Sequence, residues 1–282
     1  MSDSTSHTAQ SPQPNIAFIG AGNMSRAIFG GMINSGYPAD KIYATGRNVD
    51  KLQDLADQGI NIGSDNAAAV AACQVIVLGV KPQMMQQVTL PLANTIQQHK
   101  PLIISVAAGA TSDSIEQWLG GNLAVIRCMP NTPALIKLGA SALCANTRVN
   151  SDQKDIATQI MQNTGLALWV DSEQQLDVVT ALSGSGPAYF FMLMESMIDA
   201  AVSQGLPADV AEQLALQTAQ GAASIAQQSA LTPAQLKQQV MSPKGTTEQA
   251  ILSFENAGFS EIIKTGMQAN VDRSIQLAKE LA

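Results

Sequence analysis

The feature that most constrains this chain is a change of pattern near residue 170. Before it, short runs rich in Ile and Val alternate with stretches of helical spacing; after it the strand-like runs cease. Ile16–Ile19, Lys41–Ala44, Val75–Leu78, Leu102–Ser105 and Ala124–Arg127 are such runs. Apolar runs of this length without polar alternation suit parallel strands covered on both faces. Met24–Asn34 and Asp50–Asp57 carry helical period between them, so the repeating unit is β-α-β and the predicted architecture is a doubly wound parallel sheet. The chain divides into a polar, flexible tail over 1–14, an α/β domain over 15–170 and an all-helical domain over 171–282.

Within the helical part, Gly205-Leu206-Pro207, Leu231-Thr232-Pro233 and Ser242-Pro243 interrupt the pattern, and each Pro predicts a first helical turn. The helix expected from Pro187 to Gln204 is apolar nearly all round, through Tyr189, Phe190, Phe191, Met192, Leu193 and Met194. It needs cover on every side, either from a partner's helices in a homodimer or from a central place in a monomer. Charged residues make up only 13%, against a usual share of about 25%. The net charge of −7 argues against a nucleic-acid partner, so an anionic ligand must be held by local groups. Cys73, Cys128 and Cys144 are widely spaced without a CxxC pair, and His7 and His99 are the only histidines, which argues against a disulfide framework or a metal site. The polar start has no apolar leader, and no stretch reaches the ~20 apolar residues of a membrane span. A soluble cytoplasmic protein is expected.

Gly20-Ala21-Gly22-Asn23-Met24-Ser25 directly follows the first strand and opens the first helix. That context is what a dinucleotide-binding turn requires. Gly20 permits a tight turn, Gly22 lets the backbone approach a pyrophosphate at the helix N-terminus, and a small Ser25 allows close helix–strand packing. An NAD site usually offers an acid after the second strand. Here Thr45-Gly46-Arg47-Asn48 offers none, and Arg47 can pair with a 2′-phosphate instead, with Thr45 and Asn48 adding hydrogen bonds. NADPH is therefore preferred over NADH; the plain alternative is an Arg that caps a helix or solvates a loop. Two further strand ends carry Val80-Lys81-Pro82 and Val106-Ala107-Ala108. Cys128 to Pro133 is a Pro-bracketed turn suited to walling a nicotinamide pocket.

In the helical part, Ser242-Pro243-Lys244-Gly245-Thr246-Thr247 is a turn running into a helix, with an exposed glycine and two hydroxyls at its start. It reads either as a site for a small anion such as a carboxylate or as a cap built on Thr246 or Thr247. Together with Phe18-Ile19-Gly20-Ala21-Gly22-Asn23-Met24, Val80-Lys81-Pro82, Ser105 to Gly109, Met129-Pro130-Asn131-Thr132-Pro133 and Ser183-Gly184-Ser185-Gly186-Pro187-Ala188-Tyr189, it occurs in the order and spacing of one family. From about Asn15 onward the chain resembles a pyrroline-5-carboxylate reductase.

The resemblance implies an NADPH-binding Rossmann domain and an all-α dimerisation domain, dimers that can assemble as a decamer, and the last step of L-proline biosynthesis. It assigns cofactor binding to Gly20 through Ser25, Thr45 through Asn48, Asn66, Val80 to Pro82 and Val106 to Ala108. Substrate binding falls to Ser242, Gly245, Thr246 and Thr247, with Thr247 also hydrogen-bonding the ring nitrogen as the catalytic candidate. Lys244 stands where that loop commonly has glycine, and Ser25 where Gly or Ala is more usual. A cyclic imine protonates readily, so no catalytic histidine is needed. The rivals are a β-hydroxyacid-dehydrogenase-like NADP oxidoreductase and a non-catalytic NADP(H) sensor. The first requires a lysine on the interdomain helix, yet no Lys, Arg or His occurs between Lys154 and Lys237. The second has no need of a carboxylate loop.

Overall fold

The computed structural model describes residues 13–281, so most of the tail lies outside it. Gln13 and Pro14 are tied down, their carbonyls accepting from Lys41 and from the Tyr37 hydroxyl. Eight strands form one sheet: β1 Ile16–Ile19, β2 Ile42–Thr45, β3 Asn61–Gly63, β4 Val75–Leu78, β5 Leu102–Ser105, β6 Val125–Met129, β7 Gly139–Ala145 and β8 Gly165–Trp169. Their order is β3-β2-β1-β4-β5-β6-β7-β8, and every pairing is parallel except β6 with β7. The five strands expected from sequence are present. The other three carry weak signals: β3 is three residues long, β7 is Gly-Ala-Ser-Ala-Leu-Cys-Ala with no β-branched residue, and β8 is Gly-Leu-Ala-Leu-Trp.

Helices α1 Asn23–Asn34, α2 Gln53–Ala56, α3 Asn66–Ala71, α4 Met85–Thr89, α5 Ala93–His99, α6 Ser112–Trp118 and α7 Ser151–Gln162 connect the strands. Two cores result. Ile16 and Phe18 of β1 join Ile28, Phe29 and Met32 of α1 in one, where Phe18 and Phe29 meet edge to face at 5.2 Å. Ala17 and Ile19 join Ile76, Leu78 and Ile96 in the other. Burial on both faces is why the strands show no polar alternation.

The described residues form two compact units, one running up to Gly184 and joined by the stretch from Val271, the other Ser185–Asn270. This division differs from a boundary at residue 170 for two reasons. Helix α8, Glu173–Val179, packs Leu176 against Ala142 and Cys144 of β7, and Glu173 pairs with Arg127 at 2.6 Å. The end of α13, Phe259–Leu281, returns to the first unit, where Ser274 donates to Asp177 at 2.6 Å. A π-helical turn, Thr180–Gly184, closes that unit.

The second unit contains α9 Gly186–Ser203, α10 Ala208–Gln228, α11 Pro233–Val240, α12 Thr246–Asn256 and the first part of α13. All three prolines mark boundaries, but only Pro233 enters a first turn. Pro207 is the N-cap of α10, and Pro243 lies in the turn ahead of α12. Only Gly186 and Ala211 are buried in this unit, whereas Phe190 and Phe191 are each 63% exposed. No described helix is long and apolar enough to cross a membrane.

Candidate functional site

Register places Ile19 opposite both Thr45 and Leu78, and Leu78 opposite Ser105, so β1, β2, β4 and β5 end level. The segments after them therefore converge on one edge of the sheet, where strand order reverses between β1 and β4. Open α/β sheets bind ligands at this kind of switch point. The turns are tied together by Ala21 N–H to Thr45 O at 3.0 Å, Gly79 N–H to Ile19 O at 2.9 Å and Val106 N–H to Leu78 O at 3.2 Å.

Two glycines in the first turn answer different demands. Gly20 has φ +96°, and a Cβ there would lie 2.8 Å from Val80 Cγ1, so both conformation and space require glycine. Gly22 is the extended N-cap of α1, and an added Cβ would meet only Gly79 O at 3.9 Å. Apart from its chain neighbours, no other described residue comes within 4 Å of that position, which fits close approach of a pyrophosphate. Asn23, Met24 and Ser25 begin α1, and their N–H groups have no partner among the described residues. Ser25 does more than keep the contact small: fully buried, it donates its hydroxyl to Gly20 O at 2.6 Å and closes the turn.

After β2 the expected roles separate. Thr45 is 2% exposed and its hydroxyl donates to Phe18 O, so it braces the strand end and does not project from it. Gly46 packs on Leu52 and donates its N–H to Gly63 O. Asn48 accepts from Asp50 N–H and caps the next turn, which leaves its amide group available. Arg47 is exposed and has no ion-pair or hydrogen-bond partner among the described residues. Asn66 opens α3 with Asp65 as its cap, Lys81 is exposed ahead of Pro82, and Ala107 lies buried between Val106 and Ala108. A cavity of about 720 Å³ opens at the other end of β1, lined by Tyr37, Asp155 and Asn163 among others, and takes none of these residues.

The loop before α12 belongs to the second unit. Gly245 is its N-cap, extended at φ −82° and ψ 172°, so neither Thr246 nor Thr247 caps the helix. A Cβ on Gly245 would lie 2.8 Å from Ser242 O, the acceptor of its own N–H. The first amide to bond back is that of Gln249, onto Gly245 O. The N–H groups of Thr246, Thr247 and Glu248, and the hydroxyls of Ser242, Thr246 and Thr247, have no partner among the described residues. By contrast Asp65, Thr111, Asn150 and Thr232 cap α3, α6, α7 and α11 with side-chain oxygens. Helices α1 and α12 each start from a glycine N-cap with no side-chain cap hydrogen bond. Both candidate sites therefore leave helix-start amides open to an anion.

Two side chains, those of Asn131 and Glu248, take specific partners that the sequence did not assign them. Asn131, 8% exposed, accepts from Ala140 N–H at 2.8 Å and donates to Ser183 O at 3.0 Å, pinning the Pro-bracketed turn between β7 and the π-helical turn. Beside it, burial pushes the Cys128 thiol up to about 12, so that turn offers no ready nucleophile. Glu248, third in α12, accepts from Lys244 N–H at 2.7 Å. Its signal was an acid at the third helical position, the place from which a side chain reaches back to the helix start.

Comparison with known proteins adds the family. Residues 173–277 match the model described as pyrroline-5-carboxylate reductase dimerisation, and residues 15–109 that described as NADP oxidoreductase, coenzyme F420-dependent. The pyrroline-5-carboxylate reductase of Pseudomonas aeruginosa is 47% identical over 269 residues, covering 95% of this chain and 98% of that relative. That of Glycine max is 37% identical over 265 residues, covering 93% and 96%. The structure of the Coxiella burnetii enzyme superposes with a TM-score of 0.90 at 42% identity, covering 94% of this chain and 99% of that one. The Plasmodium falciparum pyrroline carboxylate reductase, solved with NADP bound, gives 0.83 at 28% identity, covering 94% and 98%. The chain thus belongs, over nearly its whole length, to the pyrroline-5-carboxylate reductase family.

Proposed function

We propose that this protein reduces the C=N bond of Δ1-pyrroline-5-carboxylate to L-proline with NADPH, the closing step of proline biosynthesis, and works as a self-associated dimer. The bound nicotinamide supplies a hydride to the imine carbon, and a proton taken up by the ring nitrogen completes the amine. The chain's part is to hold and orient. The N-terminus of α1 takes the pyrophosphate, with Gly22 leaving room for it, and the unpartnered Arg47 takes the 2′-phosphate that distinguishes NADPH from NADH. The available Asn48 amide, Asn66, Lys81 and the Val106–Ala108 turn complete the cofactor edge.

Family membership sets the reaction, and the observation in this chain that carries it is the start of α12. Three successive amides without partners lie beside three uncommitted hydroxyls, a cradle for a carboxylate. Thr247 Oγ1 accepts from an iminium N–H and can donate to the product amine, since a hydroxyl does both. Its contribution is orientation, and the rate comes chiefly from bringing hydride donor and acceptor together.

The test is oxidation of NADPH on addition of pyrroline-5-carboxylate, with proline as product. Thr247→Ala should lower turnover about tenfold with NADPH affinity near wild type, the scale of one charge-assisted hydrogen bond. Cofactor binding without turnover in the wild-type protein would favour a sensor.

A further inference from the structure

The loop before α12 has a feature that its substrate role does not explain. Lys244 has φ +59°, in the left-handed region that an L side chain seldom adopts. It stands next to Gly245, which cannot carry a side chain without meeting Ser242 O. The turn therefore places a lysine, with a Cβ, where its own backbone preference is unfavourable. The Lys244 N–H is held there at 2.7 Å by Glu248 Oε2, from one turn into the helix.

We propose that Glu248 is a positioning residue for the substrate loop, an inference that rests on the proposed role of that loop. An acid at the third helical position commonly reaches back to the N-cap amide itself. Here the Gly245 amide is spent on Ser242 O at 2.8 Å, so the carboxylate reaches one residue further back. The bond is charge-assisted and only one lone pair of the acid is needed for it. Its effect is to fix Lys244 in the left-handed conformation, so that the open amides and hydroxyls at the start of α12 keep the geometry in which they face one ligand. The Glu248 carboxylate thereby contributes to substrate affinity without touching substrate.

This assigns distinct signatures to three variants. Glu248→Ala removes the acceptor and should raise KM for pyrroline-5-carboxylate about tenfold, the scale of one charged hydrogen bond, with KM for NADPH unchanged. Glu248→Gln keeps an acceptor oxygen and should stay within about threefold of wild type. Lys244→Gly, placed on Glu248→Ala, supplies a residue for which φ +59° is unstrained and should recover most of the lost affinity. An unchanged KM in Glu248→Ala overturns the proposal. So does equal damage by Ala and Gln without rescue by Lys244→Gly, which would mean that the charge itself acts on the substrate. Absence of pyrroline-5-carboxylate turnover in the wild-type protein is a different failure, that of the proposed function.

Discussion

The two units of this molecule solve burial in opposite ways. In the sheet unit, β1 alone sends Ile16 and Phe18 into one core and Ala17 and Ile19 into another, all at most 1% exposed. In the helical unit Met192 is 68% exposed, Phe190 and Phe191 63%, and Ile225 60%. A monomeric protein seldom leaves so much apolar surface in water. The central strands of the sheet unit close their own cores, whereas the helical unit buries only Gly186 and Ala211, and residues 173–277 match the family's dimerisation model. Its low charge, with no cation between Lys154 and Lys237, suits a surface that another copy covers.

The most direct way to break this comparison is to put charge on α9. Burying one Phe is worth about 1.5–3 kcal/mol, and a symmetric interface counts each substitution twice. Phe190→Asp with Phe191→Asp should weaken self-association more than about 1,000-fold, read by sedimentation equilibrium. Unchanged association would place the interface elsewhere. The matching change in the sheet unit is Phe18→Ala, which removes the edge-to-face partner of Phe29. It should cost about 3–5 kcal/mol in thermal or denaturant unfolding while leaving the association state of the folded protein unchanged. A dimer lost along with the core would show that the two units do not divide the work as their burial indicates.

At the cofactor edge the effects become smaller. Arg47 is exposed without a partner, so its removal should cost little stability. Arg47→Ala should raise KM for NADPH by about 10- to 100-fold, the range of a charged hydrogen bond, and leave KM for NADH within about twofold. Equal effects on both cofactors would remove the phosphate role.

The same contrast between units explains what was legible in the sequence. Strands buried on both faces announce themselves as runs of Ile and Val, so β1, β2, β4, β5 and β6 were readable. β7 was not, because its small residues are selected by close packing: a Cβ on Gly139 would lie 2.8 Å from Thr164 O. That α8 packs with the sheet unit was not readable, because it rests on Leu176 meeting β7 and on Arg127 meeting Glu173, contacts that no local pattern encodes. At the site, glycines and prolines marked the turns, but which side chains remained uncommitted depended on partners far along the chain. The hydroxyl of Thr45, expected to hydrogen-bond a cofactor, donates to Phe18 O, and that of Ser25, expected as a small packing residue in the cofactor turn, donates to Gly20 O.

The smallest predicted effects separate scaffold from ligand contact inside the first turn, where Gly22 and Ser25 are three residues apart. Ser25→Ala leaves Gly20 O without its buried donor and should lower stability by about 1 kcal/mol, the usual worth of one neutral hydrogen bond. Its effect on NADPH should be slight, because the hydroxyl faces the chain. Gly22→Ala has the opposite character. Its φ of −77° suits alanine, and the new Cβ would meet nothing closer than Gly79 O at 3.9 Å. Stability without ligand should hold to within about 1 kcal/mol, the scale of a changed N-cap, while KM for NADPH rises several-fold as the methyl occupies the space of the pyrophosphate. If Gly22→Ala instead bound NADPH normally, the open space above α1 would not be where the phosphates lie, and glycine at that N-cap would have no explanation in either chain packing or cofactor contact.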